Sequence, residues 1–234
     1  MRKYSFFLYM VPDHGKMIRE LSGFITERRR RLFDRVLDFR TRYITVVLED
    51  IYQSHNASAV LRTCECFGIQ DVHIIENRNR YNINPDVVLG ASKWLNLIKY
   101  NKLEYNTREA LRVLRKQRYR IIATTLDEKA IPLQEFDLGA GKCALFFGTE
   151  LTGLTDPVLD EADGYLKIPI HGFTESFNIS VSAAIILHQL TMKLHLSDIP
   201  WRLSKKEREE LLLDWLKKSI RGGEKLISGE ALDD

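Results

Sequence analysis

The sequence predicts an α/β domain on a mainly parallel sheet flanked by helices, with N- and C-terminal helical extensions. Strand-like and helix-like segments alternate from about residue 41 to residue 198. One of them, Cys143-Ala-Leu-Phe-Phe147, is continuously apolar, the pattern of a strand covered on both faces. Three polar or glycine-rich corners stand at the ends of such elements, where open α/β sheets place their ligands. With 234 residues and 44% hydrophobic content, the chain can bury one sizeable core. The expected division is a basic helical extension over 1–40, a main domain over 41–198 and a second helical extension over 199–234.

In chain order, Met17, Ile18, Leu21, Ile25, Leu32, Val36 and Leu37 recur at helical spacing between Asp13 and Asp38, which predicts one or two basic amphipathic helices. Tyr43 to Leu48 is a β-branched strand ending at acidic Glu49-Asp50, and Ala57 to Cys66 reads as a helix stopped by Gly68. Val72 to Ile75 is a second strand, followed by an Asn-rich loop from Glu76 to Pro85 and a corner at Gly90 to Trp94. Thr107 is placed to cap a helix with Ala110, Leu111 and Leu114 inward, and Tyr119 to Thr124 is the next strand. After Cys143–Phe147 come a short helix from Asp156-Pro157, a strand from Tyr165 to Pro169, and a long helix from Asn178 to Leu194 packed by Ile179, Val181, Ala184, Ile185, Leu187 and Leu190. A break at Ser197 to Trp201 leads to the capping box Ser204-x-x-Glu207 and a last charged helix to about Ile220.

Charge is unevenly spread. The whole chain carries +3, yet residues 1 to 42 hold eleven Lys/Arg against five Asp/Glu. The densest run is Arg28-Arg29-Arg30-Arg31, continued by Arg35, Arg40 and Arg42. A charge run is commonly a solvated helix face, but arginine is chosen throughout, and its planar fork suits phosphates. The expectation is a nucleic-acid contact. On the last helix, Arg208, Lys217, Lys218 and Arg221 leave open a second RNA-facing surface or a solvated helix packing through Leu211, Leu212 and Leu216.

Cys64, Cys66 and Cys143 are too few and too oddly spaced for a disulfide frame, and C-x-C without further partners is a poor zinc site; no metal is expected. Tyr4 to Val11 after Arg2-Lys3 is short for a signal peptide and lacks a small-residue cleavage site. Charge interrupts every other apolar run well before the ~20 residues a bilayer span needs. The expectation is a soluble, cytoplasmic protein with no membrane partner.

The three corners are Asn56-Ala-Ser-Ala-Val-Leu-Arg62 with Phe67-Gly68 beyond it, Phe147-Gly-Thr-Glu-Leu-Thr-Gly-Leu154, and Ser176-Phe-Asn-Ile-Ser180. In this order and context they resemble the SpoU/TrmH branch of the SPOUT superfamily, knotted RNA ribose 2′-O-methyltransferases dependent on S-adenosyl-L-methionine. The match covers about residues 40 to 198, and basic helices on both sides resemble the tRNA guanosine-18 members. The resemblance implies a C-terminal trefoil knot, which ordinary chain-path rules exclude, and a homodimer whose interface includes Ile185 and Leu187 of the long helix.

The resemblance also implies a catalytic set of Arg62, Asn56, Glu150, Ser176 and Asn178. Arginine is effectively always protonated, so Arg62 is read as binding a phosphate and stabilising the developing alkoxide, with a pairing to Glu65 or Glu150 as the plain alternative. Asn56 orients Arg62 or the ribose, or caps its helix, or both. Glu150 holds arginine or loop backbone, Gly148 and Gly153 make the tight turns, and Ser176 and Asn178 cap the long helix while touching substrate or cofactor. The S-adenosyl-L-methionine pocket is expected at Thr124, Gly148, Ile168, Phe177 and Asn178, with phenylalanine at 177 where the family usually has leucine. RNA is expected at Arg28, Arg29, Arg30, Arg31, Arg35, His55 and Lys93; Lys93-Trp94 is equally readable as a buried tryptophan corner.

The expected function is methylation of guanosine 18 in the tRNA D-loop. The alternatives are ribose methylation of rRNA or of another tRNA position, and a non-catalytic RNA-binding protein on the same fold. The rRNA enzymes generally carry a substantial globular domain before the catalytic part, and here only about forty residues precede it. No G-x-G-x-x-G fingerprint follows a strand, which argues against a nicotinamide-dependent reductase.

Overall fold

The computed structural model describes residues 13–82, 84–220 and 222, so the Tyr4–Val11 segment and Arg221 lie outside the described residues. The described residues from Phe39 to Arg202 form one compact unit, and the described residues up to Asp38 and from Leu203 form another.

The larger unit is built on seven strands: β1 (Ile44–Glu49), β2 (Asp71–Ile75), β3 (Asn96–Tyr100), β4 (Arg120–Thr124), β5 (Ile131–Pro132), β6 (Cys143–Phe147) and β7 (Gly164–Lys167). They lie in the order β3-β2-β1-β6-β4-β7-β5, and every pairing is parallel. The centre is β1 against β6, in register Ile44↔Cys143 through Leu48↔Phe147, with every residue of both strands buried. Alternate side chains feed two cores. Ile44, Val46, Leu48, Cys143, Leu145 and Phe147 face one, and Val47, Ala144 and Phe146 the other.

Helices α3 (Ser54–Cys66) and α7 (Ile179–His195) cover the first core and touch each other, while α5 (Thr107–Lys116) and α6 (Asp156–Asp160) cover the second. A short α4 (Pro85–Val88), a 3-10 turn at Ala91–Trp94 and strand β3 occupy ground that the sequence pattern leaves as loop. The reason is weak periodicity: β3 is a half-buried edge strand whose Asn96 and Lys99 interrupt the apolar pattern. The two-residue β5 also escapes any pattern.

Three local expectations are corrected. Thr107 does not cap α5; Asn106 stands at the cap, and the Thr107 hydroxyl donates to Glu49 Oε1 at 2.6 Å. On α7, Val181 is exposed and Ala184 and Ile185 are half-buried, and the buried face instead uses Ala183, Ile186 and Leu194 beside Ile179, Leu187 and Leu190. Leu187 is wholly inside the core, so it is unavailable to a partner subunit.

Gly68 shows why α3 must end where it does. Its φ is +75°, and a Cβ there would come within 2.2 Å of the Phe39 carbonyl oxygen, so a side chain is excluded both by conformation and by space. Next to it the buried Arg40 donates to Glu65 Oε1 at 2.8 Å and to the Ile69 carbonyl at 3.3 Å, tying the end of α3 to the entry of β1. Burial works against the Arg40 charge and lowers its pKa, while Glu65 supports it.

In the smaller unit, α1 (His14–Ser22) and α2 (Glu27–Leu37) both touch α8 (Lys205–Ser219). Phe33 meets Trp215 edge to face at 5.6 Å, and Leu211, Leu212 and Leu216 are buried. The capping box forms as the sequence predicts, with Ser204 N donating to Glu207 Oε2 at 2.8 Å. No described helix is long and apolar enough to cross a membrane.

His73 sits on β2, buried, with Nδ1 2.9 Å from the Tyr100 hydroxyl. Burial lowers its pKa from 6.5 to about 4. The unfolded chain takes up this proton near the ordinary value and the folded chain only near 4. Stability is therefore fully present above about 6.5 and declines as pH falls toward 4. Urea melts across that window should show the decline, and a His73→Gln variant should flatten it.

Candidate active site

The three sequence corners converge at the carboxyl edge of the sheet. Asn56 is the third residue of α3, whose cap position is held by Gln53, so Asn56 is not the N-cap that the sequence allowed. Its position on the first turn buries it and points its amide across the sheet edge: Nδ2 donates to Gln53 Oε1 at 3.0 Å and to Glu150 Oε1 at 2.8 Å. Asn178 Nδ2 donates to the same Glu150 Oε1 at 2.8 Å and to Asn56 Oδ1 at 3.1 Å. Asn178 is also the N-cap of α7, its Oδ1 accepting from Ser180 N at 2.8 Å and Ser180 Oγ at 2.6 Å. One carboxylate oxygen thus joins residues from all three motifs. Glu150 binds asparagine amides here rather than an arginine or loop backbone.

The loop that carries Glu150 is a tight one. Thr149 and Gly153 exchange backbone hydrogen bonds at 3.0 Å each, and Thr149 Oγ1 accepts from Thr152 N at 3.0 Å. A Cβ on Gly148 would lie 2.2 Å from the Gly153 carbonyl, so this corner closes only with glycine at 148. Thr124, Gly148 and Ile168 stand at or just past the ends of the adjacent strands β4, β6 and β7, and the Thr124 hydroxyl donates to the Phe146 carbonyl at 2.7 Å. Phe177 is 42% exposed. Ser176 is exposed and, among the described residues, makes no hydrogen bond, so capping falls to Asn178 alone.

Arg62 is exposed on α3 and has no hydrogen bond or ion pair among the described residues. Both acids proposed as its plain partners are engaged elsewhere, Glu65 with Arg40 and Glu150 with the two asparagines. Arg62 lies six helical steps from Asn56, roughly 9 Å of rise and a different face, so the structure does not bring Arg62 into contact with the polar cluster. His55 is exposed beside Asn56, and exposed Lys93 lies 5.2 Å over the half-buried Trp94 ring.

The basic run separates into two kinds. Arg30 pairs with Asp34 at 3.2 Å and donates to Ser22 Oγ at 2.7 Å, Arg31 pairs with Glu27 at 2.9 Å, and Arg29 lies 5.8 Å over the Phe33 ring. Arg28 and Arg35 are exposed with no partner among the described residues. On α8, Arg208 pairs with Asp38 at 2.9 Å and Lys218 with Asp214 at 2.6 Å. Among the described residues no group of three or more His, Cys, Asp or Glu is arranged to hold a metal.

Sequence reasoning missed the corner before Asn56. Ile51, Tyr52 and Gln53 line, with Glu150 and Asn79, a cavity of about 440 Å³ beside the polar cluster. Asp50 builds it. This buried residue has φ +53°, and its Oδ1 accepts from the backbone N–H groups of Asn77, Arg78 and Asn79 at 2.7, 2.9 and 3.3 Å. The acidic strand end was visible in the sequence, but its left-handed conformation was not. The three-residue spacing of Gln53 and Asn56 at a helix start was the one available signal for Gln53.

A parallel α/β domain whose carboxyl edge gathers these three motifs defines an RNA methylase of one lineage: the chain belongs to the SpoU rRNA Methylase family, whose model matches residues 43–188. It is similar to the tRNA (guanosine(18)-2′-O)-methyltransferase of Borreliella burgdorferi, 46% identical over 91% of this chain and 95% of that one. The enzyme of the same description from Thermus thermophilus is 35% identical over 82% of this chain and 98% of its own. Among solved structures, the A. aeolicus TrmH/SpoU tRNA modifying enzyme superposes with a TM-score of 0.72 at 25% identity, covering 83% of this chain and 98% of that one.

Proposed function

We propose that this chain is an S-adenosyl-L-methionine-dependent tRNA 2′-O-methyltransferase acting on the ribose of guanosine 18 in the D-loop. The observation that carries the reading is the junction of Asn56, Glu150 and Asn178, three polar residues from distant motifs held at a cavity edge by one carboxylate oxygen. The chain's similarity to the tRNA (guanosine(18)-2′-O)-methyltransferases of Borreliella burgdorferi and Thermus thermophilus supports the substrate. The trefoil knot of the resemblance fits a sheet in which β6 inserts between β1 and β4.

The residues at the strand ends suit the cofactor. Thr124 brings a hydroxyl, Gly148 an uncovered backbone, and Ile168 and Phe177 apolar walls. Glu150 Oε2 accepts no hydrogen bond among the described residues, and a carboxylate oxygen suits a cationic neighbour. When bound, the cofactor supplies a methyl group made electrophilic by its positively charged sulfur. What remains for the protein is to position a ribose hydroxyl and tolerate the negative charge that develops on it. Asn56 and Asn178, with rotamers fixed by Glu150, hold the sugar. The Arg62 guanidinium stays protonated, binds the neighbouring RNA phosphate and stabilises the oxyanion, and the proton leaves to phosphate or water.

Because Arg62 stands apart from the cluster, we place the complete site in a homodimer. The exposed Val181 and Met192, with half-buried Ile185 between them, give α7 an apolar stripe for the partner. The unpartnered Arg28 and Arg35 supply phosphate contacts in the extension.

Nucleoside mass spectrometry of tRNA from cells with and without the protein tests the reading. Loss of 2′-O-methylguanosine at position 18 is the expected outcome. Loss of a mark in rRNA or at another tRNA position would reassign the substrate, and binding without transfer to any RNA would make the protein a non-catalytic binder. Arg62→Ala should lower turnover by roughly 10²–10³-fold and leave cofactor affinity by calorimetry unchanged. Its stability should stay within about 0.5 kcal/mol of wild type. Replacing Arg28 and Arg35 with alanine should weaken tRNA binding and reduce its salt slope by about one unit per lost contact. The same change at the ion-paired Arg31 should cost less. Light scattering should give twice the 27.3 kDa chain mass.

A further inference from the structure

The cavity beside the polar cluster has walls more specific than a sugar requires. Tyr52 is 80% exposed and Leu151 98% exposed, yet both line it, so two large apolar groups stand open to solvent at its mouth. Thr124, Ile168 and Phe177 are not among its lining residues. Of the strand-end residues expected to hold the cofactor, Gly148 alone lines it, so the cavity adjoins the cofactor site at that one corner and extends away from it toward Tyr52, Gln53 and Asn79.

Two side-chain amides line the same cavity, and each has one end already committed. Gln53 Oε1 accepts from Asn56 Nδ2, which leaves the Gln53 Nε2 amine, a donor, with no partner among the described residues. Asn79 Nδ2 donates to the Asp50 carbonyl at 2.8 Å, which leaves Asn79 Oδ1, an acceptor, in the same condition. The orientation of each amide follows from its own internal hydrogen bond. Asp50, in a left-handed conformation that costs a non-glycine residue energy, clamps the Asn77–Asn79 backbone against the corner that bears Tyr52 and Gln53. A donor and an acceptor are thereby fixed around one space before any ligand arrives, with the exposed Tyr52 ring at its mouth.

Guanine presents the complement on its Watson–Crick edge: the O6 acceptor, with the N1–H and 2-amino donors beside it. Adenine presents the reverse order, a 6-amino donor beside the N1 acceptor, and would set donor against donor and acceptor against acceptor. We propose that this cavity holds the target guanine itself, with Tyr52 stacked on the ring, Gln53 Nε2 donating to O6, and Asn79 Oδ1 accepting from N1–H and the 2-amino group. This inference rests on the reading of the chain as a tRNA guanosine methylase and adds how the base is selected. The base leaves its stack to reach the cavity, as enzymes that act on one nucleotide within a folded nucleic acid require, and the stacking partner offsets part of that cost.

The test is steady-state methylation of two tRNA transcripts, with guanosine or adenosine at the modified position, by wild type and by the Tyr52→Ala, Tyr52→Phe and Asn79→Ala variants. Cofactor affinity is measured in parallel by calorimetry. Gln53 is left intact because it also holds Asn56. Asn79→Ala should narrow the guanosine-to-adenosine ratio of kcat/KM by about tenfold. Tyr52→Ala should lower kcat/KM by about tenfold on both transcripts, while Tyr52→Phe stays near wild type. Cofactor affinity should be unchanged in all three. An unaltered ratio in Asn79→Ala, an undamaged Tyr52→Ala, or a Tyr52→Phe as impaired as Tyr52→Ala would each overturn the base pocket while leaving the methylase reading in place. Failure of the wild-type protein to methylate either transcript would overturn that reading and the pocket with it.

Discussion

The meeting of the three motifs at the sheet edge depends on Glu150 Oε1. It accepts from Asn56 Nδ2 and Asn178 Nδ2 at 2.8 Å each, so a single oxygen fixes residues 94 and 28 positions away along the chain. Two N–H donors on one ionised oxygen make a charge-assisted junction, stronger than neutral pairs of the same length. The geometry is over-determined. Asn178 cannot turn without uncapping α7, Asn56 cannot turn without releasing Gln53, and Gly148 leaves the loop no other path past Gly153. Such mutual locking is what a site needs if its polar groups are to meet a substrate without rearranging.

The end of β1 performs the matching task on the other side. Glu49 accepts from the hydroxyls of Thr107 and Thr155 and from Thr155 N, binding the starts of α5 and α6 to the strand, while Asp50 gathers the Asn77–Asn79 backbone. Two consecutive acids, one in the sheet and one just beyond it, hold different walls of the same edge. Their carboxylates are buried yet satisfied by hydrogen-bond donors, the condition under which buried acids are tolerable.

Much of this was legible in the residues. The all-apolar Cys143–Phe147 strand, the Gly68 stop and the Ser204–Glu207 capping box are local patterns with local physical causes, and each lies where the pattern puts it. Asn56, Glu150 and Asn178 stood out as motif residues, but their common acceptor is a long-range contact that no spacing encodes. The family resemblance implied an arginine or the loop backbone as the partner of Glu150, whereas Arg62 faces solvent on α3 and two amides from the other motifs reach the carboxylate. Asn79 and Gln53 were hidden because asparagine and glutamine in loops are common and become informative only when one end of each amide is spent. The edge strand β3 was hidden because half-buried, charged edge strands lose the alternation that marks interior ones.

The strand order carries a consequence for the protein's synthesis. Its two innermost strands, β1 and β6, are 99 residues apart from Ile44 to Cys143, and the intervening chain builds the flanks before the centre exists. A ribosome adding ~5–20 residues per second needs roughly 5–20 s to cover that gap. During that interval the nascent β1 has β2 on one side and nothing yet made for the other. An unpaired apolar strand edge attracts other chains, so the topology concentrates the exposure of the β1 edge in the window before residue 147 emerges.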